Sequence, residues 1–147
     1  MKRILAGALL CLFAALATAQ DDYAHVVKVN RRFADVKESI VLAIEGRGLV
    51  INTVAHVGSM LERTGRDTGN SRRIYQDAEV IEFCSASASR AVMEADPKSI
   101  VLCPYAISVY TLSGDTGNTY IGYRTFPSDP RVKPAKDLVH EIVKEAL

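Results

Sequence analysis

Apolar residues recur at helical spacing in several segments of this chain. One segment runs from Phe33 to Ile44 and is followed by glycines, and another runs from Ala135 to Leu147. Ser85 is a suitable N-cap for a short helix over Ala86–Ala95, which Asp96-Pro97 ends. A fourth short helix is predicted after Ser59, because Ser59 and Glu62 have capping-box spacing.

Five other segments have the β-branched or alternating pattern of strands. They are Tyr23–Val29, Leu49–Val57, Ala78–Cys84, Ile100–Thr111 and Thr119–Thr125. The helix between the third and fourth strands favours a crossover, which would place those two strands parallel in one sheet. The order of elements predicts an α+β two-layer sandwich in which helices cover a mixed sheet.

The N-terminus has the pattern of a secretory signal peptide. Lys2 and Arg3 precede an apolar run over 4–16, and Ala17-Thr18-Ala19 supplies the small residues that signal peptidase accepts. We expect cleavage after residue 19, which leaves 20–147 as one domain, periplasmic or secreted, with no membrane insertion after cleavage.

The net charge and the absence of common catalytic motifs exclude several classes of function. Loss of Lys2 and Arg3 takes the formal net charge from +1 to −1, so nucleic acid is not an expected partner. The sequence has no nucleophile elbow, zinc-protease helix or phosphate-binding glycine loop. We therefore expect a non-catalytic protein that binds a small ligand or a partner, with no cofactor.

Two cysteines, Cys84 and Cys103, remain after signal cleavage, and an exported domain favours a structural disulfide between them. Such a bridge would stabilise the fold by roughly 3 kcal/mol. Two alternatives stay open. Cys84 precedes a helix N-terminus, which would lower the pKa of its thiol and suit redox exchange. Cys103 with His56 could instead ligate a metal ion or haem.

Five further side chains are candidates for ligand contact. His56 follows a strand, where binding groups often emerge, and Arg72 and Arg73 could clamp an oxyanion. Tyr105 and Tyr123 lie on the last two strands, where they could line a pocket or a dimer interface. Glu79 and Glu82 are not a convincing acid/base pair, because their spacing places them on opposite faces of a strand.

The chain also resembles the exported branch of the bacterial family called domain of unknown function 302. The resemblance rests on Ser39–Val54 with His56, Val80–Cys84, Met93–Pro97 and Ile100–Tyr105. It implies a compact α+β fold, commonly a homodimer, and no established activity. The family frequently has Asp before the matching histidine. Ala55 stands there in this chain, which removes a carboxylate that would orient the ring.

Overall fold

The structure, a computed structural model, describes residues 23–147. The predicted signal peptide, residues 1–19, lies outside the described residues. Within 23–147 no helix combines the length and the apolar composition needed to cross a membrane.

One five-stranded sheet organises the described part of the chain. Its strands are β1 (Ala24–Val29), β2 (Val50–Ala55), β3 (Tyr75–Cys84), β4 (Tyr105–Leu112) and β5 (Asp115–Arg124). The order across the sheet is β1-β5-β4-β3-β2, so β4 is the central strand. All four neighbouring pairs are antiparallel.

Three helices, α1 (Phe33–Glu45), α3 (Ala86–Ala95) and α4 (Lys133–Ala146), form a second layer with short 3₁₀ helices at Pro97–Leu102 and Pro130–Val132. Another helix, α2 (Val57–Gly65), lies against β3 outside this layer. α4 packs against α1 and α3, and both α1 and α4 contact the sheet. The predicted α+β two-layer class is therefore confirmed.

The core lies between the sheet and this helical layer. Side chains alternate along a strand, so each strand sends every second residue toward the helices. Ile81, Phe83, Ile107, Val109 and Ile121 take these positions and are fully buried. They pack with Val36, Ile40 and Ile44 of α1 and Val139, Ile142 and Val143 of α4.

The other side of the sheet, here called the open face, carries the remaining strand residues. A row of paired residues crosses it, formed by Ala55, Val80, Ser108, Gly122 and Val26. α2 packs against β3 at one corner of this face, where Gly58 lies against Ala78. A Cβ at residue 58 would stand 3.0 Å from the Ala78 nitrogen, so a larger residue there would require α2 to shift slightly away from β3.

The predicted parallel pairing of the third and fourth strands is wrong. β3 and β4 pair antiparallel, with Phe83 opposite Tyr105. The segment Ile100–Leu102 belongs to a 3₁₀ helix, not to a strand. α3 and this 3₁₀ helix return the chain to the same end of the sheet that β3 left, so β4 runs back along β3. The sheet is therefore antiparallel rather than mixed.

The helix after β2 also differs from its prediction. α2 begins at Val57 with His56 as N-cap, and the Ser59 hydroxyl donates to the His56 carbonyl at 3.1 Å. The predicted capping box between Ser59 and Glu62 does not form, since the helix starts three residues earlier, with His56 rather than Ser59 as its N-cap. α2 ends at Gly65 and β3 begins at Tyr75, three residues before its predicted start at Ala78, so the segment 66–74 connects them.

Candidate functional site

His56 and Glu79 form a hydrogen-bonded pair at the end of β2. The Nδ1 atom of His56 lies 3.1 Å from Oε1 of Glu79, and Nζ of Lys37 lies 2.6 Å from the other oxygen, Oε2. The His56 side chain is 63% exposed whereas that of Glu79 is only 13% exposed. The largely buried Glu79 carboxylate thus contacts the Lys37 ammonium of α1 with one oxygen and the exposed His56 imidazole with the other.

The β3 register explains this arrangement. Glu79 shares the phase of Ile81 and Phe83 and therefore points to the helical side of the sheet. A carboxylate in that position needs partners, because burying an unpaired charge is costly. Sequence reasoning missed Glu79 and Lys37, although the inward phase of Glu79 was a usable signal. Ala55 provides no carboxylate beside His56. Glu79 of the neighbouring strand β3 provides one instead.

α2 and the segment 66–74 line a cavity with a volume of about 570 Å³. Arg66, Arg72 and Arg73 line it, and Glu62 is the one acidic residue in its wall. Hydroxyl and amide groups complete the polar part of the wall, from Thr64, Thr68, Asn70 and Ser71. The cavity therefore has an excess of positive charge beside hydrogen-bonding groups.

A smaller cleft of about 190 Å³ adjoins this cavity and connects it to the histidine. His56, Glu62, Arg73 and Glu79 line the cleft, and Glu62 and Arg73 belong to both spaces. The Arg73 guanidinium donates to the carbonyl oxygens of Tyr75 at 3.1 Å and Gln76 at 3.0 Å. Those bonds hold Arg73 in place between the two spaces.

Three of the five predicted ligand-contact residues thus lie around α2, namely His56, Arg72 and Arg73. Tyr105 and Tyr123 lie elsewhere. Tyr105 is 2% exposed, packs on Phe83 and contacts the Ser89 hydroxyl at 3.2 Å, and burial raises the pKa of its phenol. Tyr123 stacks on His25, and its hydroxyl lies 3.1 Å from Nδ1 of His140.

Cys84 and Cys103 meet where β3 ends and β4 begins. Their Sγ atoms lie 3.2 Å apart, and both thiols are free in this structure. The antiparallel pairing brings them together, because Phe83 and Tyr105 are direct partners. The Ser89 hydroxyl of α3 lies 3.6 Å from the Cys103 sulfur. Only a short movement separates the two sulfurs from disulfide distance.

The helix N-terminus does not activate Cys84 as the sequence suggested. Burial, followed by the hydrogen bond with Cys103, raises the pKa of the Cys84 thiol to about 11. The Ser85 hydroxyl accepts from the Ala88 amide and so occupies part of the first turn of α3. The predicted lowering of the Cys84 pKa is therefore wrong.

Cys103 and His56 lie too far apart to share a metal ion. Cys103 is beside Cys84 at one end of β3, whereas His56 is beside Glu79, five residues away along the same strand. That distance is about 17 Å at the rise of an antiparallel strand, whereas ligand atoms on one zinc ion lie within about 4 Å of each other. No cluster of three or more His, Cys, Asp or Glu in the described range has a metal-binding arrangement.

The fold is that of a small antiparallel α+β domain, and three arginines line the cavity beside α2. A protein-family model described as "Domain of unknown function DUF302" matches residues 25–147. The chain belongs to the DUF302 family.

A solved structure shares the fold. The crystal structure of an uncharacterized conserved protein DUF302 from Bacillus stearothermophilus matches with a TM-score of 0.61 at 17% sequence identity. The match covers 85% of this chain and 93% of that chain. No curated protein matches the sequence.

Proposed function

We propose that this protein is an exported, non-catalytic domain that binds a small anion in the cavity beside α2. The observation that carries the proposal is the wall of that cavity, which has three arginines and one acidic residue. Glu62 lies 3.8 Å from the Arg73 guanidinium, so Arg66 and Arg72 supply the excess positive charge. Guanidinium groups match carboxylate and sulfate-like oxygens in a bidentate geometry, and such charge-assisted hydrogen bonds are stronger than neutral ones.

The size of the cavity also supports a small ligand. Its volume of about 570 Å³ falls within the usual range for ligand pockets, about 300–1,000 Å³. Leu61, Ile74 and Tyr75 add apolar wall beside the arginines. An organic carboxylate or a sulfate or phosphate ester therefore suits the site better than a bare inorganic ion.

His56 would contact the part of the ligand that reaches the adjoining cleft. Its Nδ1 is held by Glu79, which fixes the orientation of the ring. The other ring nitrogen, Nε2, is then available to a ligand group. Arg73 lies between the two spaces and would contact the ligand from either.

Thermal unfolding in the presence of small organic anions tests the proposal. The probes are a set of mono-, di- and tricarboxylates and sulfate and phosphate esters, each paired with its neutral amide or alcohol. We expect at least one anion to raise the melting temperature while its neutral counterpart does not. Equal shifts from the charged and neutral members of every pair, or no shift from any anion, would contradict the proposal.

Export and the Cys84–Cys103 disulfide belong to the same proposal. The signal-like N-terminus and the 3.2 Å contact between the sulfurs support them. Closure removes two protons and two electrons from the thiols and passes them to the disulfide of an oxidising partner, which becomes a dithiol. Intact mass and thiol alkylation, measured on protein from the periplasmic fraction, test both export and the bridge.

A second candidate function is thiol–disulfide exchange, and the proximity and partial exposure of both thiols favour it. The reduction potential separates it from a structural brace. A potential near those of disulfide oxidoreductases, about −120 to −270 mV, would favour exchange, whereas a value below about −300 mV would favour the brace.

A further inference from the structure

A trough of about 380 Å³ lies on the open face, between α2 and the end of β5. Its floor consists of Ala106, Ser108 and Gly122, which are small residues on the neighbouring strands β4 and β5. Val80 pairs with Ser108 on one side, and Val26 pairs with Gly122 on the other. Because these valines are larger than the floor residues, they form the two sides of a trough about one side chain deep.

Aromatic rings close the end of the trough that lies near α2. The ring of Tyr110 lies beside the floor, since a Cβ added to Gly122 would stand 3.8 Å from its Cε1 atom. Tyr75 packs edge-on against Tyr110, with ring centroids 5.6 Å apart, and Val57 of α2 also lines the trough. Aromatic rings associate by offset-stacked or edge-to-face contact, so this end of the trough suits an aromatic ligand.

Two apolar side chains of the trough are exposed. Val26 is 51% exposed and Tyr23 is 86% exposed, and both line the trough. The Thr125 amide donates to the Tyr23 carbonyl at 3.0 Å, which holds the Tyr23 backbone beside β5. Exposed apolar surface with a polar rim is typical of binding sites. A ligand in the trough would cover both side chains.

Arg124 supplies an unpaired charge at the rim of the trough. Its guanidinium forms no ion pair with any residue in the range 23–147. The other charged residue of the lining is Glu79, whose carboxylate points to the helical side of the sheet and pairs there with Lys37. A guanidinium binds a carboxylate through two parallel hydrogen bonds. Arg124 therefore selects an apolar ligand that carries a carboxylate.

We propose that this trough binds a planar aromatic carboxylate, with its ring on the floor and its carboxylate on Arg124. A flat ring fits a space one side chain deep, whereas a branched aliphatic group would project from it. The volume of about 380 Å³ lies within the usual range for ligand pockets, about 300–1,000 Å³. The trough is separate from the cavity of the proposed anion site, since only Tyr75 among residues 23–147 lines both.

The probes that test the proposal are 2-naphthoate and indole-3-acetate, each paired with its neutral amide. The chain has no tryptophan, so the fluorescence of either probe is measured without tryptophan emission from the protein. We expect Arg124→Gln to weaken binding of the carboxylates at least 10-fold and to leave binding of the amides unchanged. Ser108→Leu fills the floor and should weaken binding of both members of each pair.

Two control variants accompany these measurements. Lys136→Gln changes the exposed side of α4, and Arg72→Gln changes the cavity of the proposed anion site. Both should bind the probes as wild type does. No binding of either carboxylate, or equal affinity of wild type and Arg124→Gln for both carboxylates, would overturn the proposal.

Methyl NMR locates the probe without any substitution in the trough. Val26, Val57 and Val80 line the trough, whereas Leu61 and Ile74 line the other cavity. We expect 2-naphthoate to shift the methyl signals of the three valines only. Shifts confined to Leu61 and Ile74 would contradict the trough and support the anion cavity. If sedimentation shows a dimer that excludes the probe, a second copy occupies the trough and the proposal is wrong.

Discussion

The Sγ atoms of Cys84 and Cys103 lie 3.2 Å apart, at the point where β3 leaves the sheet and β4 enters it. The contact follows from the antiparallel pairing of Phe83 with Tyr105. A bridge here would close a loop that contains α3 and its 3₁₀ helix, so it would restrict the unfolded chain without moving a strand.

Loss of one thiol should remove the stabilisation that a bridge provides. Under oxidising conditions we expect Cys103→Ser to lower the free energy of unfolding by about 3 kcal/mol, because the unfolded chain regains the entropy of the open loop. Urea titration measures the change. Under reductant the free energies of unfolding of wild type and Cys103→Ser should differ by much less. An oxidised wild type no more stable than its variant would show that no effective bridge forms.

The reduced protein should lose stability at high pH. Burial raises the pKa of Cys84 from 9.0 to about 11. A raised pKa means that the folded state favours the neutral thiol. The contribution of the neutral Cys84 thiol to the free energy of unfolding is therefore fully present below pH about 9 and is lost as the pH rises toward 11. We expect the urea midpoint of reduced wild type, relative to Cys84→Ala, to fall across this range. A constant difference between the two proteins would contradict the raised pKa.

Removing the Glu79 charge should destabilise the fold and release His56. Glu79→Gln leaves Lys37 without its anion, and we expect a loss of about 1–3 kcal/mol in the free energy of unfolding. The matched control is Glu94→Gln, which breaks the exposed Arg90–Glu94 pair and should cost less than about 0.5 kcal/mol. Equal effects of the two substitutions would show that Glu79 is no more than a surface charge.

Asp115 should make the hairpin between β4 and β5 sensitive to acid. Hydrogen bonds from Lys28, Tyr120 and Asn118 hold the pKa of Asp115 well below its ordinary value of 3.8. The resulting stabilisation is present above the unfolded pKa and is lost as pH falls below it. Wild type should therefore lose more stability than Asp115→Asn between pH about 5 and 2, as measured by thermal unfolding. Parallel curves for the two proteins would contradict this.

The hydrophobic pattern was sufficient to predict the helical layer and most of the strands. α1 and α4 follow from apolar spacing, because their buried faces pack against the sheet. α3 follows from its end signals, the Ser85 N-cap and the Asp96-Pro97 stop. The direction of β4 did not follow from the sequence. A helical connection permits either a parallel or an antiparallel return, and the 3₁₀ helix at Pro97–Leu102 resembles a strand in its β-branched composition.

The site was predictable only in part. His56, Arg72 and Arg73 were identified by residue type, but their arrangement around α2 depends on a helix that begins three residues earlier than its capping signal indicated. Glu79 was considered only as a possible acid/base group. Its partners are Lys37 of α1 and His56 at the end of β2. These residues are distant in sequence, so no local pattern predicts their contact.

The most direct test of the proposed function is the affinity of the anion site with and without one arginine. Calorimetric titration of the anion that most raises the melting temperature gives the dissociation constant for wild type and for Arg72→Gln. The control is Arg90→Gln, which removes a guanidinium on α3, away from the cavity. We predict that Arg72→Gln weakens binding at least 10-fold, as expected for one charge-assisted contact, while Arg90→Gln leaves it unchanged. Equal affinity of wild type and Arg72→Gln would contradict binding at the α2 cavity.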